Sequence, residues 1–307
     1  MIIDCHGHYA STKVLPEEFF QGWAENLQSK LGMDDLSVER VQGMLLDMLG
    51  DENCDELVEE MDEAGIDKVV LLIIDFFFVF PELRIDIEEI HRMHKNLLAR
   101  SDRFLVFSGI DPRRGKAGVD FFEMTIRDWG FHGFKIYPPC GYTPSDPALF
   151  PFYEVCQKYK VPVLTHVGPT SERLSFRHSM PMDIDQAAQL FPGVDFILAH
   201  AGVMWHKEAA LLAEYRSNVY LDLSGFQGGL ENNHFQNCLQ WHLDRGLIHK
   251  LLFGIDWPIH RLLGSQRKWV DEFRRICSGF HLSPDEMDCL LFKNIQHILD
   301  KKVNVSS

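Results

Sequence analysis

The chain has 307 residues, 46% of them hydrophobic, and a formal charge of -15. That length and apolar content support one large core, and the acidic balance, with no Lys/Arg cluster to offset it, argues against a polyanionic partner such as nucleic acid. The seven cysteines form no C-x-x-C pair, which argues against a zinc ribbon or a disulfide framework and suits a reducing cytoplasm.

The N-terminus lacks a basic region followed by an apolar stretch, so no secretory signal is expected. No apolar run is long enough to cross a bilayer. Residues 66–81 come nearest, and Asp67, Lys68 and Asp75 interrupt them. Without a linker or low-complexity segment, residues 1–307 read as one domain.

Apolar, β-branched runs at residues 1–4, 68–74, 104–110, 133–137, 161–165, 195–199, 219–223 and 251–255 predict strands. Helical periodicity falls between them, at 55–64, 85–100, 117–129, 149–158, 183–190 and 207–216. The last helix has an explicit start, with Ser283 as cap, Pro284 at the first helical position and Glu286 completing a capping box. Strand–helix alternation predicts an α/β fold with a parallel sheet, and eight strands are the number a closed (β/α)8 TIM-type barrel needs. An open doubly wound sheet is the alternative, but no G-x-G-x-x-G follows the first strand. Residues 9–66 form a long insertion after the first strand, expected over the barrel mouth, where such barrels set substrate choice. Phe76-Phe77-Phe78-Val79-Phe80 follows the second strand. Burial under the insertion or a dimer contact is expected there ahead of a substrate wall.

The chemistry gathers at strand ends. His6-Gly-His8 closes the first apolar run, and residues two apart on a strand share a face. Leu164-Thr165-His166, Leu198-Ala199-His200 and Gly254-Ile255-Asp256 likewise end apolar runs with a histidine or carboxylate, the ligand set of a divalent cation. Strand parity gives a second test. If Phe134 and Ile136 face the helices, Gly133, Lys135 and Tyr137 face the lumen, and Phe253 and Ile255 outward put Asp256 inward. A lysine in a barrel lumen is costly unless paired or modified. The same parity sets Asp4 with His6 and His8 but deeper, as a buttress. On these assignments His6, His8, Lys135, His166, His200 and Asp256 converge at one mouth.

Five segments in order, Ile3-Asp4-Cys5-His6-Gly7-His8, Gly133-Phe134-Lys135-Ile136-Tyr137-Pro138, Leu164-Thr165-His166, Leu198-Ala199-His200-Ala201-Gly202 and Leu252-Phe253-Gly254-Ile255-Asp256-Trp257-Pro258, resemble the amidohydrolase superfamily. The resemblance is to the branch that contains aminocarboxymuconate-semialdehyde and resorcylate decarboxylases. It implies a barrel with a divalent metal held by His6, His8, His166 and Asp256, and His200 as a ligand or an acid/base residue. Lys135 departs from the decarboxylases and resembles the binuclear amidohydrolases, in which a carboxylated lysine bridges two metals. By that resemblance Lys135 would join one ion on His6, His8 and Asp256 to a second on His166 and His200. The other readings are a salt bridge to Asp256 or a contact to a substrate carboxylate.

The first functional expectation is therefore a metal-dependent hydrolase acting on an ester, lactone, thioester or amide. A bound cation lowers the pKa of its water to about 7, and Asp256 and His200 are the candidate proton carriers. The alternative is a non-oxidative decarboxylase of an aromatic or unsaturated acid. Zinc is the first choice of metal, with manganese or iron accepting the same ligands, as one ion, or two if Lys135 is carboxylated. Tyr137, Arg177 and Trp257 are candidate substrate-binding residues. Arg177 would suit a carboxylate, the other reading being a surface arginine. His260 lies just past the last strand and is borderline. The partner expected is a small molecule, with no nucleic acid and no membrane, and a homodimer is a candidate assembly.

Overall fold

The computed structural model describes residues 1–31, 36–83, 85–229 and 232–303. Eight parallel strands follow one another around one sheet in chain order: β1 (Ile3–Gly7), β2 (Lys68–Leu72), β3 (Phe104–Gly109), β4 (Gly133–Ile136), β5 (Val163–Thr165), β6 (Phe196–Leu198), β7 (Val219–Asp222) and β8 (Leu251–Leu252). The helices are α1 (Glu17–Leu31), α2 (Val38–Asp47), α3 (Asp55–Ala64), α4 (Ile87–Arg100), α5 (Gly115–Arg127), α6 (Phe150–Tyr159), α7 (Asp185–Leu190), α8 (His206–Tyr215), α9 (His234–Leu243), α10 (Gln266–Ser278), α11 (Pro284–Asp288) and α12 (Asn294–Leu299). The architecture is a (β/α)8 barrel, and α11 carries the expected Ser283–Glu286 capping box.

Strand alternation sorts the core into two compartments. Val106, Phe134, Ile136, Val163 and Phe196 pack against the helices, while Val70, Leu72, Leu105, Phe107, Leu164 and Ile197 fill the lumen. Ile295 and Ile298 of α12 join the lumen cluster. Asn294 Nδ2 donates to the carbonyls of Ile248 and Leu251, at 2.8 Å each, beside the start of β8. This helix therefore closes the barrel at the end away from the mouth.

A seam between β1 and the β8 segment completes the circle. Cys5 N–H donates to Phe253 O (3.0 Å), Asp256 N–H to His6 O (2.7 Å) and His8 N–H to Trp257 O (2.7 Å). Against β2, Asp4 pairs with Val69 and Gly7 with Leu71, so the register shifts between them. The shift is a bulge, and the extra residue changes which side chains face inward. Ile3 and Cys5 belong to the lumen cluster, and past the bulge His6 and His8 point inward. Asp4 thus does not share a face with the two histidines, contrary to the parity expectation. Its Oδ1 accepts the N–H groups of His6 (2.9 Å) and Ile255 (3.0 Å) and pins the seam.

The seam also explains two boundary differences. Strand β1 runs past the expected end at residue 4 because the bulge carries pairing through the histidines. Regular pairing of β8 stops at Leu252, short of 255, because Ile255 N–H is committed to Asp4 and Gly254 O accepts the Trp269 indole N–H (3.0 Å).

The long insertion divides in two. Helices α1 and α2 pack on each other, and α1 places Phe19 and Trp23 in the wall of the mouth cavity. Helix α3 instead lies beside α10, with Arg261 reaching Glu56 (2.7 Å) and Glu60 (2.9 Å). Residues 32–35 of the insertion lie outside the described residues. The phenylalanine run divides three ways. Phe76 is buried and lines the cavity, Phe80 is buried in the core, and Phe77 and Phe78 are exposed with Arg113 over the Phe78 ring at 4.5 Å. The cysteines are free and buried, and among the described residues no helix is long and apolar enough to cross a membrane.

Asp4→Ala would leave two buried N–H groups without an acceptor, at about 1–3 kcal/mol each. We expect urea denaturation to show a loss of about 2–4 kcal/mol, with Asp4→Asn, which keeps an acceptor oxygen, losing less.

Candidate metal centre and active-site cavity

Four imidazoles and a carboxylate meet at the mouth. His6 Nε2 lies 3.5 Å and His8 Nε2 3.2 Å from Asp256 Oδ1. The ring centroids of His6 and His8 are 5.3 Å apart, those of His6 and His200 4.9 Å, and those of His166 and His200 5.2 Å. Ligand atoms of His6, His8 and Asp256 lie within 4.8 Å of one another, as do those of His6, His200 and Asp222. Ligands about 2.1 Å from one ion sit roughly 3–3.5 Å from each other, and the two contacts to Asp256, at 3.5 and 3.2 Å, already have that spacing.

Neighbouring acceptors fix the tautomers. His6 Nδ1–H donates to Asp222 Oδ2 (2.5 Å) and His8 Nδ1–H to Leu72 O (3.1 Å). Ser224 Oγ donates to Asp222 Oδ2 (3.0 Å), so it accepts from His200 Nδ1–H (2.9 Å). All three rings keep Nε2 unprotonated, the form that binds a cation. Burial pushes His8 below the ordinary histidine value, His200 down to about 3 and His166 well below it, so these rings stay neutral. Burial alone would raise Asp256, but the polar contacts around it, His6 first, hold the carboxyl well below its usual range. His166 Nε2 is buried with no hydrogen-bond partner. An orphaned ring nitrogen beside an acceptor-rich cluster fits a divalent cation: His6, His8 and Asp256 form one candidate ligand set, His6, His200 and Asp222 another, and His166 Nε2 adjoins them.

Lys135 points into the same cluster. Its Nζ is buried without a partner, and burial lowers it to about 8 against the pull of Asp256 and Asp222. Such an ammonium calls for an anion.

Backbone conformation at the ligands is unusual. His200 (φ 59°) and Asp256 (φ 67°) both sit in the left-handed region, and Ala201 and Val203 follow His200 there. Strain of this kind collects at functional sites. Gly254 is required by close approach, since a Cβ there would stand 2.4 Å from Asp222 Oδ1.

The cluster opens into a cavity of about 840 Å³, whose wall includes Tyr137, Thr170, Phe176 and His260. Tyr137 packs its ring 4.7 Å from that of His166 and shares a hydrogen bond with Thr170 Oγ1 (2.5 Å). Two expected substrate contacts lie elsewhere. Arg177 is exposed and outside the cavity wall. It lies in a segment without regular structure, where no periodicity indicates direction. Trp257 is 1% exposed, packs in the core outside the lumen under Arg261, and lends the site only its carbonyl, to His8 N–H. Alternation accounts for this, because the residue after an inward Asp256 faces outward. His260 does line the cavity, with Nε2 3.6 Å from Asp256 Oδ2. Asp222 and Ser224 were missed. The signal for Asp222 was available in Val219-Tyr220-Leu221-Asp222, another apolar run closed by a carboxylate.

The amidohydrolase family model matches residues 3–300. The chain belongs to the amidohydrolase family. Structures similar to this amidohydrolase over its whole length include 5-carboxyvanillate decarboxylase from Novosphingobium aromaticivorans with bound manganese and 3-methoxy-4-hydroxy-5-nitrobenzoic acid (13% identity, 98% of this chain and 97% of that one, TM-score 0.71). A 2,6-dihydroxybenzoate decarboxylase complexed with 2,6-dihydroxybenzoate is also similar (17%, 97% and 99%, TM-score 0.68). So is a probable 2-pyrone-4,6-dicarboxylic acid hydrolase from Acinetobacter baumannii with citric acid bound (15%, 97% and 99%, TM-score 0.64). At such identities the likeness is one of fold. No curated protein matches this amidohydrolase.

Two outcomes follow for the cluster. Asp222→Asn should weaken metal binding about 10–100-fold, read by chelator competition with an unchanged circular dichroism spectrum. The second concerns Lys135 in metal-free, CO₂-free buffer. The unfolded chain keeps its proton to about 10.4, whereas the folded one releases it near 8. Between those values the unfolded state binds more protons, so stability rises with pH and the penalty of the buried ammonium is full only below 8. Lys135→Met should therefore exceed the parent in stability at pH 7, with the margin shrinking from pH 8 to 10. A margin independent of pH would contradict this assignment.

Proposed function

We propose that this amidohydrolase is a metal-dependent, non-oxidative decarboxylase of aromatic or unsaturated carboxylic acids. The observation that carries the reading is the Lys135 ammonium, without a hydrogen-bond partner, at the base of a cavity whose wall includes Phe19, Trp23, Phe76, Tyr137 and Phe176, beside neutral imidazoles and a candidate metal triad. Family membership and the two similar decarboxylases support it.

A divalent cation on His6, His8, His166 and Asp256 would supply positive charge to orient and polarise an acidic substrate. The protein's own groups supply the rest. Lys135, protonated at neutral pH, complements the substrate carboxylate. Tyr137 and Phe76 flank the cavity and suit a planar, unsaturated body. His200, with its proton held on Nδ1 by Ser224, has a free Nε2. It accepts a proton from a substrate hydroxyl and returns it to the carbon that loses CO₂. The C–C bond breaks, its electron pair stays on that carbon, and one solvent proton is consumed overall.

The test is CO₂ release from hydroxybenzoates by metal-loaded protein, with a single deuterium entering the product in D₂O. His200→Ala should lower kcat by about 10²–10⁴ while leaving bound metal in place. Turnover by metal-free protein would refute the reading.

One observation favours hydrolysis as a second reading. A lysine amine lowered to about 8 is a better acceptor for CO₂ than an ordinary one, and the carbamate would be an anionic ligand between the two halves of the cluster. A carbamate signal from Lys135 in bicarbonate, two metals per chain, and turnover of esters or lactones without CO₂ release would decide for it.

A further inference from the structure

The cavity is larger than the acid group and a single ring require. Its volume of about 840 Å³ lies in the upper part of the roughly 300–1,000 Å³ range that encloses drug-sized ligands. The space runs outward from the metal cluster along a file of aromatic rings. His166 stands 4.7 Å from Tyr137, Tyr137 5.6 Å from Phe76, and Phe76 5.5 Å from Phe19 on α1.

Helix α1 carries one broad apolar stripe, and its two edges have different surroundings. Phe20 and Ala24 are buried in the core. Phe19, Trp23 and Leu27, spaced at i, i+4 and i+8, are half-buried and line the cavity. The same helix also sets Asn26 and Ser29 on the wall, so Phe19, Trp23 and Leu27 form an apolar strip within it rather than its whole α1 side.

Helix α1 is also fastened in place. Ser171 Oγ donates to Phe19 O (2.7 Å) and Asn26 Nδ2 to Thr170 O (3.2 Å). Arg173 pairs with Glu25. Gly22 lies so close to the segment after β5 that a Cβ there would meet Ser171 Oγ at 2.3 Å. The stripe is therefore a built wall.

Charge limits the ligand from the other side. Among the described residues lining the cavity, Lys135 is the one lysine or arginine. A ligand with a second anionic group far from the cluster would find no cationic side chain there.

We infer that the cavity selects monocarboxylic acids carrying a bulky apolar extension, with the carboxylate at the Lys135 and metal end and the extension along Phe19, Trp23 and Leu27. This rests on the decarboxylase reading for the chemistry at the acid end, whereas the size, the single charge and the apolar character are read from the wall itself.

Calorimetric titration of metal-loaded protein with benzoate, biphenyl-4-carboxylate and biphenyl-4,4′-dicarboxylate provides the test, together with quenching of tryptophan fluorescence. We expect the biphenyl monoacid to bind at least about tenfold more tightly than benzoate, as burial of a further ring allows, and the diacid to lose that gain. Trp23→Ala should remove most of the gain while benzoate affinity stays within about twofold. Phe19→Leu, a milder change, should remove part of it and guards against misfolding of the first variant. Equal affinities for the three acids, or a gain that survives in both folded variants, would overturn the inference.

Turnover separates this inference from the decarboxylase reading. If the biphenyl monoacid binds with the expected gain but no hydroxylated acid of either size releases CO₂, the decarboxylase reading fails and the selectivity stands. If hydroxybenzoate is decarboxylated with a higher kcat/KM than its biaryl counterpart, the chemistry stands and the selectivity fails.

Discussion

The seam between the first and last strands carries both the closure of the barrel and the assembly of the site. Its hydrogen bonds use the backbone of the candidate ligands themselves, since Asp256 N–H binds His6 O and His8 N–H binds Trp257 O. The fold and the placement of these candidate ligands are therefore one constraint. The Asp4 carboxylate sits at its centre, where the bulge turns β1 so that both histidines face inward. A displaced seam would separate the His6–His8–Asp256 triad before it disturbed the rest of the barrel.

Around that seam, polarity is distributed with little slack. The rings of His6, His8 and His200 each spend Nδ1 on an acceptor from a different part of the fold, namely Asp222, Leu72 and Ser224. Burial keeps the imidazoles of His8, His166 and His200 neutral, and Asp256 is held ionised. Lys135 is a buried cation that feels Asp256 and Asp222 but has no hydrogen-bond partner. This charge distribution makes an acid a natural ligand.

Much of this was legible from the amino-acid order, because strand-end residues are marked by what precedes them. His166, His200 and Asp256 each close an apolar run, which marks them as strand-end residues, and parity put Lys135 and Asp256 in the lumen. The bulge was not legible. Nothing in Ile3-Asp4-Cys5-His6 signals an added residue, and simple alternation therefore misassigned Asp4. Asp222 carried the same mark as Asp256 and was passed over. Trp257 was misread although alternation opposes it to Asp256, and Arg177 lies where no period operates. The roles of Phe19 and Trp23 depend on how α1 docks against the segment after β5, a long-range contact that local pattern does not encode. The choice between hydrolysis and decarboxylation turned on Lys135, whose free amine, carbamate and substrate-anchor forms share one codon.

The plug at the closed end has a bearing on how the molecule comes into being. Ile295 and Ile298 fill the lumen from the last helix, and β8 precedes them by only some forty residues. Until both have left the ribosome, β1 is an unpaired edge and the lumen is open at its base, which is a state prone to mispairing. Because the partners of β1 on that side are the most distant in the chain, closure waits on a slow, non-local search. A cation arriving before that moment would meet loose histidines rather than the assembled His6–His8–Asp256 triad.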